Sequence, residues 1–232
     1  MNIRILYTLF LGLCIQYVSA QTDHQTPVKV GKVDKIYSFN GKTYDVYEAK
    51  LYFPISVDVS STLESSNNMY DKSHLIDYNP GTVWVEGVKG NGVGETITFQ
   101  FKKKELPYII AFEPGYMKST QSWNKNNRVA AFELRFLDAQ KRLIAQTYVD
   151  FLRGGHMVYS GTYAADLTDL FSHSKRMNTF EYLEVEIRKV DDKGTKFSDT
   201  CVSGLSFFKR KTKAPIQKIS TSAYQKLNSK NN

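Results

Sequence analysis

Apolar positions recur at every second residue in short runs along the chain. Ile55, Val57 and Val59 alternate with polar residues, and Ile97, Phe99 and Phe101 do so again. That period places one face of each run in a core and the other in solvent, which predicts strands. Further apolar runs cover Tyr108 to Phe112, Val129 to Leu137, Leu143 to Phe151, Phe180 to Val190 and Val202 to Phe208. Asn40-Gly41 separates Val28–Phe39 from Tyr44–Phe53 and is a strong hairpin-turn pair. Turns are also predicted from Asp138 to Lys141 and from Asp191 to Gly194. Only Met69–Ile76 and Ala164–Phe171 carry a helical spacing, and both are short. Some eight to ten strands joined by polar connectors, with no internal repeat, predict an all-β sandwich or barrel.

The first twenty residues change the picture by adding a compartment. Arg4 precedes an apolar run from Ile5 to Ile15, and Val18-Ser19-Ala20 follows as a small-residue cleavage site. This is the pattern of a secretory signal peptide cut near Ala20. Gln16 and Tyr17 end the run short of the roughly 20 residues of a membrane-spanning helix, so no transmembrane segment is expected. Leu13 is not the small residue that lipidation at Cys14 would need. With Cys14 removed, Cys201 has no intrachain disulfide partner and reads as a small buried hydrophobe. An exported chain built this way must be held by its core.

The formal charge of +8 suggests nucleic acid until it is located. Of the 31 basic residues, Arg4 falls in the leader and seven lie after Phe208 without an acidic neighbour: Lys209, Arg210, Lys211, Lys213, Lys218, Lys226 and Lys230. Residues 21 to 208 are therefore formally neutral. A nucleic-acid module carries its basic footprint on the folded surface, so no nucleic-acid partner is expected. The tail reads as a disordered terminus with weak attraction to anionic surfaces. The predicted organisation is a signal peptide (1–20), an N-terminal extension with a β-hairpin (21–54), a β-sandwich (55–208) and a basic disordered tail (209–232).

The densest glycine stretch, GVKGNGVGE from Gly87 to Glu95, could be mistaken for a phosphate cradle. Such a cradle leads into a helix whose first amides face the anion. Here the strand-like TITFQF follows, and neither G-K-[ST] nor G-x-G-x-x-G is present. The glycines therefore predict a loop entering a strand, with Gly87, Gly90, Gly92 and Gly94 allowing positive φ.

The surroundings of that loop are more specific. In order they contain Ser60-Ser61-Thr62-Leu63, Leu75-Ile76-Asp77, Thr82-x-Trp84-x-Glu86-Gly87, Gly92-x-Gly94-Glu95, Gly115-Tyr116-x-Lys118-Ser119 and Asn126-x-Arg128-Val129. Across residues 56 to 208 the chain resembles the discoidin-related, F5/8 type C-like domain of the NAD glycohydrolase translocation family, also described as NADase-type glycan-binding domains. The resemblance implies a galactose-binding-like (discoidin-type) jelly-roll β-sandwich, here with an N-terminal hairpin extension, and a binding role without catalysis. Members of the wider fold often hold a structural calcium with backbone carbonyls near the position of Asp77 and an acid in the last strand. Gly204 stands where that acid is expected, so no cofactor or metal is assigned. The NAD-cleaving domain has no counterpart in a chain of this length.

Sugar recognition needs a flat aromatic face for pyranose C–H groups and convergent polar groups for hydroxyls. The loop PGYMKSTQSWNKNNR supplies both, and its candidates are Tyr116, Lys118, Trp123, Asn126 and Arg128, led by Trp123 in its polar stretch. Glu86, at the head of the glycine loop, joins them as a weaker candidate, while Trp84 between Val83 and Val85 reads as core. Two alternatives stay open for the same residues: Tyr116 capping the sandwich, and Asn126 and Arg128 pinning the loop. Catalytic patterns are scarce. Asp166, Asp169 and His173 have the spacing of one helix face, which a solvated helix explains equally. The sequence thus predicts an exported, non-catalytic module for a glycan or cell-surface ligand. The competing class is a protein-interaction or envelope scaffold module with the same fold.

Overall fold

A computed structural model describes residues 31–34, 36–39, 42–45, 49–103, 105–154, 157 and 162–210. The predicted leader, its cleavage site and the tail beyond Arg210 lie outside them.

Two curved sheets form the molecule. The first contains β1 (Gly31–Asp34), β2 (Ile36–Phe39), β3 (Lys42–Asp45), β4 (Ala49–Tyr52), β8 (Ile109–Glu113), β11 (Thr162–Asp166) and β14 (Gly204–Arg210), in the order β3-β2-β1-β11-β8-β14-β4. The second contains β5 (Ser56–Val59), β6 (Trp84–Val85), β7 (Thr96–Gln100), β9 (Asn127–Asp138), β10 (Leu143–Asp150), β12 (Phe180–Asp191) and β13 (Thr200–Val202). Its order is β5-β7-β12-β9-β13-β6, with β10 also paired to β9. The β13–β9 pairing is parallel.

Alternation accounts for the strands that face solvent on one side. Along β7, Ile97 and Phe99 are buried while Thr96, Thr98 and Gln100 are half-buried. Strand β8 is buried at four successive positions because sheet neighbours and layers cover both its faces, and it reads as a continuous apolar run. Between the sheets, Phe99 of β7 meets Phe207 of β14 edge-on at 4.9 Å, and Phe112 of β8 stacks on Phe132 of β9 at 5.6 Å. Aromatic pairs of this kind interlock the layers beyond their buried area. Trp84 is fully buried in β6 and donates from Nε1 to Ser61 O at 3.1 Å. Cys201 is buried, and burial pushes its thiol pKa far up, which keeps it an unreactive apolar group.

The N-terminal strands give the first sheet its curl. Phe39 pairs with Lys42, the register that the Asn40-Gly41 turn pair predicts. The expected second arm, Tyr44–Phe53, is divided: Lys42–Asp45 pairs with β2, whereas Ala49–Tyr52 pairs with β14 at the opposite edge. Asp45 and Ala49 are four residues apart, so at most about 14 Å separates them. A flat sheet of seven strands would hold its outer strands roughly 29 Å apart. The sheet must therefore roll, bringing its edges toward one another.

Other expectations are corrected. Ala164–Phe171 is not one helix: β11 runs to Asp166, and α2 covers Thr168–His173. Asp166 accepts the Thr168 N–H at 2.9 Å, so it ends the strand and does not share a helix face with Asp169 and His173. Met69–Ile76 shortens to a 3-10 turn at Lys72–Ile76. A helix that the pattern did not predict, α1 (Thr120–Lys125), lies inside the candidate loop. Gly90, Gly92 and Gly94 take positive φ. Gly87 does not; a Cβ there would come within 2.5 Å of Thr62 O, so close backbone approach explains this glycine.

Candidate functional site: a cleft beside Tyr116 and Lys118

The segment from Thr62 to Thr82 is polar and rich in turn formers, and side-chain-to-backbone bonds replace sheet pairing there. Ser65 Oγ accepts from Met69 N at 2.9 Å, and Asp71 N donates to Asn68 O at 3.2 Å. Asn68 adopts left-handed φ of 51°, which an amide side chain tolerates better than most. Asp71 caps the 3-10 turn by accepting from Ser73 N at 2.9 Å. Hydrogen bonds from Ser73, its side chain first and its N–H next, hold the Asp71 carboxyl below the usual carboxylate range. Asp77 accepts from Asn79 N at 2.8 Å, from the Thr82 hydroxyl at 2.7 Å and from His74 Nδ1 at 3.1 Å.

Facing this segment is the loop after β8. Ser203 ties the two together: its Oγ accepts from Met117 N at 3.0 Å and donates to Thr82 O at 3.1 Å. Between them lies a cleft of about 570 Å³ whose lining includes Asn67, Asn68, Met69, Asp71, His74, Tyr116 and Lys118. A second hollow of about 360 Å³ adjoins it across Asn68 and Asp71 and is lined further by Thr62, Leu63, Glu64, Ser65 and Tyr70. Tyr116 is half-buried, and burial raises its hydroxyl pKa; Lys118 and Met69 are exposed, the latter at 53%. An apolar wall beside amide, carboxylate, imidazole and ammonium groups is the mixture that holds a hydroxylated ligand in a fixed orientation.

The structure therefore divides the predicted residues. Tyr116 and Lys118 are brought together in the cleft. Trp123 is only 4% exposed and cannot lead a surface site. Its polar neighbours project from the short helix α1, while its own position turns inward over Gly115, where an added Cβ would lie 2.4 Å from Trp123 Cζ3. Arg128, 5% exposed, lies 4.7 Å above the Trp123 ring. It donates to Asp191 at 2.9 Å and to Trp123 O at 2.9 Å. Asn126 donates to Ser122 O at 2.8 Å and closes α1. These three residues pin the loop. Glu86 is fully buried beneath the glycine loop and accepts from Val88 N at 2.9 Å and Thr200 N at 3.2 Å. Burial is the main cause of its raised pKa.

The sequence pattern does not single out Asn67, Asn68, Met69, Asp71 or His74. The first four lie in a run of turn formers, SSNNMYD, in which Met69 is a large exposed apolar side chain; His74 follows three residues later with no signal of its own.

The residues implied for calcium also find a place. Gly204 pairs with Glu113, whose Oε2 lies 3.5 Å from where a Gly204 Cβ would be. A carboxylate thus reaches that spot from β8. Burial chiefly, and the Asp77 charge next, raise the Glu113 pKa. Asp77 is already engaged by three donors, and no three His, Cys, Asp or Glu side chains converge among the described residues. No helix among the described residues is long and apolar enough to cross a membrane.

The family described as NAD glycohydrolase translocation F5/8 type C domain matches residues 46–208. Among solved structures, the fold is similar to the CBM32-1 and CBM32-2 domains of Clostridium perfringens ZmpB in complex with GalNAc. Identity is 10% and the TM-score 0.52, over 82% of this chain and 41% of that one. It is likewise similar to a ZmpB structure with CBM32-1, CBM32-2 and M60 catalytic domains, at 11% identity and a TM-score of 0.50, over 82% of this chain and 17% of that one. This chain thus spans less than half the length of those structures, and the likeness is one of fold, a discoidin-type β-sandwich. No curated protein sequence matches.

Proposed function

Because the chain belongs to the NAD glycohydrolase translocation F5/8 type C domain family, we propose that it is an exported, non-catalytic module that binds carbohydrate in the cleft beside Tyr116 and Lys118. The observation that carries this reading is the cleft, in which one aromatic wall faces groups that donate and accept hydrogen bonds. Tyr116 packs against Val83, Val85 and Cys201 and donates its hydroxyl to Gly81 O at 3.5 Å, so the part of it that lines the cleft is a fixed apolar surface for pyranose C–H groups, while Lys118 and the Asn67 and Asn68 amides bond hydroxyls. The GalNAc complex of the ZmpB domains makes N-acetylgalactosamine the first probe.

A printed glycan array, followed by calorimetry on the strongest glycan, tests the site. Lys118→Ala and Tyr116→Ala each weaken binding about tenfold or more. A glycan signal indifferent to both variants places the site elsewhere. A stoichiometric protein captured from envelope extract, with no glycan signal on the array, gives the module to a protein partner instead. Export is tested separately: the secreted protein begins at Gln21. Deleting the tail after Arg210 leaves glycan binding intact and removes retention on an anionic surface.

A further inference from the structure

This inference rests on the reading of the cleft as a glycan site and specifies what lies in it. We propose that the ligand is an oligosaccharide of two or more units, laid across the saddle formed by Asn68 and Asp71, with an uncharged or amine-bearing unit in the hollow beside Glu64.

Two features of the structure lead there. The cleft has a neighbour: the hollows of about 570 and 360 Å³ are both lined by Asn68 and Asp71. The smaller hollow alone has room for about a dozen waters, and a hexose has as many non-hydrogen atoms. A single sugar in the larger cleft would leave the second hollow filled with water. The loop that carries both residues also has a defined turn. Asn68 stands in the left-handed region at φ 51°, held by the Asp71 N–H to Asn68 O turn and by the Ser65 bond to Met69 N. Asn tolerates this conformation, and the turn leaves its side chain exposed at the position that both hollows share. An amide carries both donors and an acceptor, so the Asn68 side chain can bond hydroxyls of the units on either side.

The charges give the ligand a direction. Asp71 lines both hollows, so the difference in charge is made by Lys118, which lines only the larger one, and Glu64, which lines only the smaller. A uronate or sulfated unit fits beside Lys118 and is repelled beside Glu64. A neutral or amine-bearing unit fits beside Glu64, where the carboxylate accepts its hydroxyl or ammonium hydrogens.

Calorimetry and an array with the full chain test this. The probes are free galactose, N-acetylgalactosamine, N-acetylglucosamine and fucose, the di- and tetrasaccharides that contain them, and tetrasaccharides with uronate at every unit. The tetrasaccharide of the best sugar binds about tenfold or more tighter than its monosaccharide. Glu64→Ala removes most of that gain and leaves monosaccharide binding within about twofold. Asn68→Gly, which keeps the left-handed backbone, weakens both. A monosaccharide that binds as tightly as its tetrasaccharide overturns the proposal and leaves the glycan site standing. So does a chain-length gain that Glu64→Ala does not touch, or preferred binding of all-uronate chains. A protein with native melting behaviour that binds no probe overturns both readings.

Discussion

The two halves of the Pro114–Arg128 loop have nearly the same chemistry and opposite fates. Tyr116 and Lys118 form one wall of an open cleft, while Trp123 and Arg128, also an aromatic and a cation, are buried seven to ten positions further on. The difference is made by partners from distant segments. Arg128 meets Asp191, 63 residues away, and the Trp123 ring closes over Gly115. Lys118 follows the buried Met117, which Ser203 anchors, and points outward from it. Composition alone identifies a loop able to recognise a sugar; the partner decides which residues are left to do so.

The largest expected effect breaks the buried half. Arg128→Ala leaves Asp191, 8% exposed, without its ion pair, and uncovers the Trp123 carbonyl. Removing one member of such a pair costs about 3–5 kcal/mol, read as a lower urea midpoint with an unchanged slope. If the loop divides in this way, the loss is one of folding: any glycan affinity that survives per folded molecule is unaltered. Trp123→Ala behaves alike, at about 3–5 kcal/mol. A Trp123→Ala protein of native stability that has lost binding would return Trp123 to the site.

Next comes Glu86, which joins the glycine loop to β13. Glu86→Gln puts an amide N–H against one of the two backbone donors and costs about 1–3 kcal/mol. The pH dependence has a definite sign. The raised pKa means that the folded protein takes up the Glu86 proton more readily than the unfolded chain. Stability from this group is therefore present at low pH and lost as pH rises from the ordinary carboxylate value through the folded one. Glutamine does not titrate. The stability difference between wild type and Glu86→Gln shifts toward wild type as pH falls from neutral toward the ordinary carboxylate value. A difference that shifts the other way would show that its backbone bonds outweigh its burial.

The sequence was informative where one physical rule acts locally. The alternation of Ile97 and Phe99 in β7, and of Leu183, Val185 and Ile187 in β12, needs only a sheet with one buried face. The pairing of Phe39 with Lys42 needs only a short connection between neighbouring strands. The rule fails where a partner far along the chain decides. Ala49–Tyr52 resembles a continuation of β3 but pairs with β14, and Thr200–Val202 is too short to carry a period. Trp123 is the same failure at the site: a Trp among Ser, Asn and Lys looks exposed until a six-residue helix turns it inward. The turn formers of the SSNNMYD run explain a loop without implying a surface, and the cleft exists only once Ser203 ties Thr82 to Met117.

The smallest stability effect belongs to the open half. Lys118 is exposed, and Lys118→Ala changes folding stability by no more than about 0.5 kcal/mol. Its expected loss is in affinity, about tenfold for the strongest glycan on the array. That pairing of intact folding with lost binding is the inverse of Arg128→Ala. A melting curve and a titration on the two variants therefore test the division directly. If Lys118→Ala destabilises the fold by an amount near that of Arg128→Ala, both halves of the loop are structural, and the cleft loses its cationic wall as a recognition element.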